Sequence, residues 1–150
     1  MSSSPPESAA ALKARALRLL ARREHSRQEL ARKLEPHAES PEVLEGVLGE
    51  LQEKKQLSDQ RYAEERARWL ARKYGAAKIR HELQAKGVAT AVIENLPAQD
   101  DLERARAILA RKYRAPAGSL QEQAKRARFL HSRGFSGDII RRLLSSGDTV

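Results

Sequence analysis

Apolar residues return every three or four positions along most of this chain, which is the signature of helices with one buried stripe. Leu12, Ala16, Leu19 and Leu20 predict a first helix from about Ala9 to Glu24, and a second follows from Ser26 to about Pro36. Ser40 and Pro41 supply a cap and a first-turn proline for a third helix, with Val43, Val47, Leu48 and Leu51 on its stripe. Ser58 and Asp59 open a fourth, whose buried face is Ala63, Ala67, Leu70, Ala71 and Tyr74. The fifth runs from Ala76 to Lys86 and stops at Gly87, where glycine enters the left-handed region cheaply. Val92, Ile93 and Leu96 mark a short sixth helix ending at Pro97, and Asp100 to Arg114 a seventh with acids in its first turn. After the break at Ala115-Pro116-Ala117-Gly118, Ser119 and Glu122 make a capping box for the eighth helix. Phe135-Ser136 turns into the ninth. No segment alternates as a strand would, and residues 1 to 8 read as a disordered polar tail.

One phrase occurs three times in strict register. Leu20, Arg23, His25, Ser26, Leu30 and Leu34 are followed 49 positions later by Trp69, Arg72, Tyr74, Gly75, Ile79 and Leu83. A further 61 positions give Leu130, Arg133, Phe135, Ser136, Ile140 and Leu144. Each copy reads as helix, tight corner, helix. Ser26 and Ser136 suit an N-cap, Glu29 completes a capping box with Ser26, and Gly75 allows a sharp backbone corner. Leu20, Leu30, Leu34, Trp69, Tyr74, Ile79, Leu83, Leu130, Phe135, Ile140 and Leu144 are the expected core of the repeats. Three such corners predict an all-α array of helical units, each burying its apolar face on a neighbour.

Composition narrows the function. Only 40% of the 150 residues are hydrophobic and 4% aromatic, so the core is thin and aliphatic. Lysine and arginine number 29 against 20 acids, a net charge of +9, which favours an anionic partner. The charge is uneven: +1 over residues 1–57, +3 over 58–98 and +5 over 99–150. Glu39, Glu42, Glu45, Glu50 and Glu53 give the front an acidic helix. The absence of cysteine excludes disulfides, thiolate nucleophiles and cysteine metal sites. No run approaches the roughly 18 to 20 apolar residues of a membrane span, and the start lacks a targeting pattern, so a soluble cytoplasmic protein is expected.

Candidate chemistry is sparse. His25, His37, His81 and His131 lack metal-ligand spacing, and His25 fills the ring position of the repeat. There is no phosphate loop, serine elbow or convergent carboxylate pair, so neither an enzyme nor a cofactor is expected. The candidate contacts to an anionic partner are Arg68, Arg72, Lys73, Arg104, Arg111, Lys112, Arg114, Lys125, Arg126, Arg128, Arg133, Arg141 and Arg142, the last six gathered in the final two helices. Clustered charge of this kind attracts polyanions.

Leu17 to Leu34 resembles the opening unit of the RecX family, bacterial regulators of the RecA recombinase. Leu57, Ser58, Asp59, Arg61, Tyr62 and Ala63, then Arg68, Gly75, Ile79, Leu83, Lys86, Gly87 and Val88, follow that family's central pattern. Phe129-Leu130, Arg133-Gly134-Phe135-Ser136 and Ile139-Ile140 resemble its last unit. His25 stands where the family often has tyrosine. The resemblance implies an elongated, curved array of three tandem three-helix repeats, at 9–57, 58–98 and 99–147. It also implies an inhibitor that lies in the groove of the RecA filament on single-stranded DNA. There it blocks extension, ATP hydrolysis, strand exchange and co-protease activity. A monomer with weak binding to free DNA is expected beside this. The competing reading is a helix-turn-helix protein acting on DNA alone.

Overall fold

The structure is a computed structural model and describes residues 5–145. Among them the chain forms nine α-helices: α1 (Ala9–Arg22), α2 (Arg27–Leu34), α3 (Pro41–Glu53), α4 (Asp59–Leu70), α5 (Ala76–Ala85), α6 (Thr90–Glu94), α7 (Asp101–Lys112), α8 (Leu120–Ser132) and α9 (Gly137–Ser145). A single 3-10 turn, Glu35–His37, follows α2. The described residues contain no strand, only an isolated bridge between Glu7 and Ala38.

Helix starts are set by short polar side chains accepting from free first-turn amides. Ser26 Oγ accepts from the Glu29 amide while Glu29 reaches back to the Ser26 amide, so the expected capping box is complete. Ser40, Ser119 and Ser136 accept from Val43, Glu122 and Ile139. At Ser119 the box is only half made, because the Glu122 carboxylate accepts from Gly118 instead. The polar tail also differs from expectation at its inner end. The Glu7 amide donates to the His37 carbonyl at 2.7 Å, its carboxylate pairs with Arg15, and Ser8 caps α1. These partners hold residues 7 and 8 against the fold; residues 1–4 lie outside the described part.

By packing, the chain gathers into two compact units, residues 1–65 with 84–95, and residues 66–83 with 96–150. The divisions fall inside α4 and α5. In the first unit α1, α2 and α3 enclose Leu12, Ala16, Leu30, Leu34, Leu44, Val47, Leu48, Leu51 and Leu57. Ser26 Oγ also donates to the Lys86 carbonyl at 2.8 Å, and the Arg27 amide donates to Asp59. The acidic helix is partly neutralised: Glu50 pairs with Lys13 and Lys54, and Glu45 with Arg27. In the second unit α7, α8 and α9 enclose Ala105, Ile108, Leu130, Phe135, Ile140 and Leu143. Ile79 and Leu83 are buried, as the repeat register requires.

Four expected core positions depart from that register. Leu20, Tyr74 and Leu144 are half-buried, Leu143 taking the inner position on α9. Trp69 is 50% exposed. Its slot is apolar in the other two copies, but here Ala67 and Leu70 form the buried side of α4 and the indole turns outward.

The three corners are also not topologically equivalent. Arg23–Ser26 joins α1 to α2 and Arg72–Gly75 joins α4 to α5, whereas Arg133–Ser136 joins α8 to α9. The geometric counterpart of the third is Lys86-Gly87-Val88 between α5 and α6. Gly87 has φ +83° and Gly134 φ +90°, and each is followed by a buried apolar residue, Val88 or Phe135. At Gly134 the Phe135 amide donates to the Leu130 carbonyl and the Gly134 amide to the His131 carbonyl, which together satisfy the end of α8. Gly75 is glycine for a different reason than its backbone angle. A Cβ there would lie 2.6 Å from the Gly134 carbonyl oxygen and 2.7 Å from Phe135 Cδ1, so the position is closed by its neighbours.

Candidate functional site

The end of α4 presents carbonyl oxygens that the helix itself cannot satisfy, and the negative end of its dipole favours cations. Three arginines from the second unit occupy them in succession. Arg111 Nη2 donates to the Arg72 carbonyl at 2.6 Å, Arg133 Nη1 to the Lys73 carbonyl at 3.3 Å, and Arg104 Nη2 to the Tyr74 carbonyl. Arg133 lies 4.9 Å from the Phe129 ring and 5.7 Å from that of Tyr74, and Lys78 Nζ lies 5.1 Å from Tyr74. Arg104 is the innermost. Burial lowers its pKa, opposed by Asp101 at 2.7 Å. Asp101 also accepts from the Ala76 amide at the start of α5.

Arg72, Lys73, Lys78, Arg104, Arg111 and Arg133 therefore meet around one corner with Asp101 as the carboxylate among them. Arg104, Arg111 and Arg133 each spend one or two of their five N–H groups on the fold, and Arg72, Lys73, Lys78 and Arg111 are exposed. Such a corner can bind phosphates by charge and by bidentate hydrogen bonds. The packing units sharpen the charge gradient read from the sequence: the first carries 12 basic and 13 acidic residues, net −1, and the second 17 and 7, net +10.

The other predicted contacts divide. Arg68, Arg114, Lys125, Arg128, Arg141 and Arg142 are exposed on α4, after α7, and on α8 and α9, and Arg141 stands 3.8 Å from Asp138. Lys112 is exposed and lies 5.1 Å from the Phe129 ring. Arg126 is not a surface contact. It is 8% exposed, donates to the Ala115 carbonyl at 2.7 Å and stacks 4.5 Å from Tyr113, because its stem lies on the inner side of α8. Sequence reasoning missed Lys78 and the outward Trp69. A signal for the corner was present: Leu-Ala-Arg-Lys-Tyr occurs at 70–74 and again at 109–113, placing Arg72 and Arg111 at equivalent helix ends.

Models of the first, second and third three-helix domains of RecX match residues 13–51, 58–95 and 99–144. The chain belongs to the RecX family. It is 46% identical over 140 residues to the regulatory protein RecX of Leptothrix cholodnii, covering 91% of this chain and 89% of that one. It is 38% identical over 148 residues to the RecX of Ralstonia nicotianae, covering 97% and 93%. A crystal structure of RecX from Lactobacillus salivarius superimposes with a TM-score of 0.81 at 22% identity, over 95% of this chain and 97% of that one. A second RecX crystal structure gives 0.77 at 22% identity, over 92% and 73%. RecX relatives are named as regulators, and among the described residues no helix is long and apolar enough to cross a membrane.

Proposed function

We propose that this protein is a regulator that binds the RecA filament on single-stranded DNA and restrains its extension, ATP hydrolysis, strand exchange and co-protease activity. The observation that carries the reading is the separation of charge between the packing units. A unit of net +10, with six cations around one corner, is suited to a nucleoprotein whose phosphates are accessible. The family's three tandem three-helix domains divide the work: the last two supply the cationic surface, and the first, near neutral and with Glu39, Glu42 and Glu53 exposed, meets protein.

The test adds the purified chain to RecA-coated single-stranded DNA and follows ATP hydrolysis. Inhibition well below one chain per RecA subunit is expected. The double reversal Arg72→Glu with Lys73→Glu should weaken it and flatten its salt dependence, since fewer counterions are then released. Tight duplex binding with no effect on RecA would instead establish a reader acting on DNA alone.

A further inference from the structure

Trp69 is the sole tryptophan of the chain, and with Leu120 it is one of two large hydrophobic side chains exposed among the described residues. One face of its indole is covered by Arg66, whose guanidinium carbon lies 4.6 Å from the ring centroid. Arg66 is in turn held by Glu82 at 3.0 Å, so the indole rests on a fixed plane. Arg72 and Lys73 follow Trp69 by three and four positions in a tightened last turn after α4, where the Arg72 amide donates to the Trp69 carbonyl and the Lys73 and Tyr74 amides to that of Leu70. That spacing sets neighbouring side chains together on a helix. Arg72 and Lys73, the two exposed cations that begin the basic corner, thus follow the indole by one turn of the chain.

An aromatic hot spot for protein docking is ringed by other side chains that exclude water. Trp69 is instead half open to solvent, and the side chain seated on its ring is the cation Arg66. A flat ring next to cations that track a backbone is the arrangement that binds unpaired bases, the ring taking the base and the cations the phosphates.

We propose that Trp69, backed by Arg66, is a stacking platform for an unpaired base of single-stranded nucleic acid whose phosphates lie on Arg72 and Lys73. This rests on the reading that the basic unit meets nucleic acid, and the two are tested separately. The full chain is titrated with oligo-dT and with inorganic polyphosphate, which carries the charge without bases. Oligo-dT should quench the Trp69 fluorescence, and polyphosphate should not. By anisotropy of labelled ligands, Trp69→Ala should lose about 5- to 100-fold in oligo-dT affinity while polyphosphate binding holds within about twofold. Trp69→Phe, which keeps a ring, should recover most of the loss. Equal losses for both ligands, no loss for either, or equal quenching by polyphosphate would overturn the platform. The Arg72→Glu, Lys73→Glu variant should weaken both ligands. If it weakens neither, the placement of the phosphates is wrong, whatever Trp69 does.

Discussion

The amide of Gly75 donates to the carbonyl of Arg133 at 2.7 Å, so the corner that ends α4 and the corner that ends α8 are joined back to back. The contact leaves no room for side chains: a Cβ on Gly75 meets the Gly134 carbonyl, and a Cβ on Gly134 meets Lys78 Cβ at 2.4 Å. Gly75→Ala should therefore cost about 1 to 3 kcal/mol through crowding alone. Gly134→Ala should cost more, because it adds a left-handed backbone at φ +90° to the same crowding. Urea unfolding of both variants checks the order. Equal stability of Gly75→Ala and the parent protein would mean that the two corners do not touch.

Most of the fold was legible from periodicity and caps, because amphipathic stripes and Ser or Asp caps are local properties. Leu30, Leu34, Ile79, Leu83, Leu130 and Ile140 are buried as their spacing requires. What spacing could not reveal is which helices a corner joins, since an arginine, a ring and a small residue suit both a first-to-second and a second-to-third link. The same limit applies to Trp69, whose side of α4 is decided by tertiary neighbours. For the arginines the sequence reports charge and not direction, so Arg104 and Arg133, which cap helix carbonyls, look identical to Arg128 on open surface.

Arg126 and its neighbours separate these roles experimentally. Lys125 and Arg128 are exposed on α8, and their joint replacement by glutamate should leave the melting temperature nearly unchanged while lowering polyanion affinity. Arg126→Ala removes the bond to Ala115 and the stacking on Tyr113, and should destabilise the second unit by about 1 to 3 kcal/mol. Thermal melts alongside binding isotherms would show the two effects in different variants. A fully stable Arg126→Ala would place that guanidinium back on the surface.

Lys55 ends α3 in the left-handed region at φ 61°, the one non-glycine described residue to do so. The Gln56 amide donates to the Leu51 carbonyl across this turn, and Leu57, next along, is buried, so the conformation is imposed by the seating of that leucine in the core. Lys55→Gly relieves the Cβ clash at an exposed site and should stabilise the protein by about 1 kcal/mol, the larger unfolded-state entropy of glycine offsetting part of the gain. A lowered urea midpoint in this variant would argue against the turn.

His25 gives the first unit a dependence on pH. The ring is 1% exposed, with Nδ1 3.0 Å from the Arg23 carbonyl and Nε2 3.0 Å from Lys33 Nζ. These partners suit a neutral ring that donates from Nδ1 and accepts at Nε2. Burial lowers its pKa below the ordinary 6.5, the nearby charges of Arg23 and Lys33 add to this, and the bond to the Arg23 carbonyl opposes it. Since the unfolded chain takes up the proton first, stability is whole above about pH 6.5 and falls as pH drops below it, levelling once the folded ring also protonates. Glu7, Glu29 and Glu50 are shifted below the ordinary 4.5, so their contributions are lost only in a more acid range. Urea midpoints between pH 5 and 8 should decline on the acid side for the parent protein, and His25→Tyr, which retains a ring without this titration, should flatten the decline. Parallel curves for the two proteins would show that His25 takes up its proton over the same pH range folded as unfolded, so that burial does not hold the ring neutral.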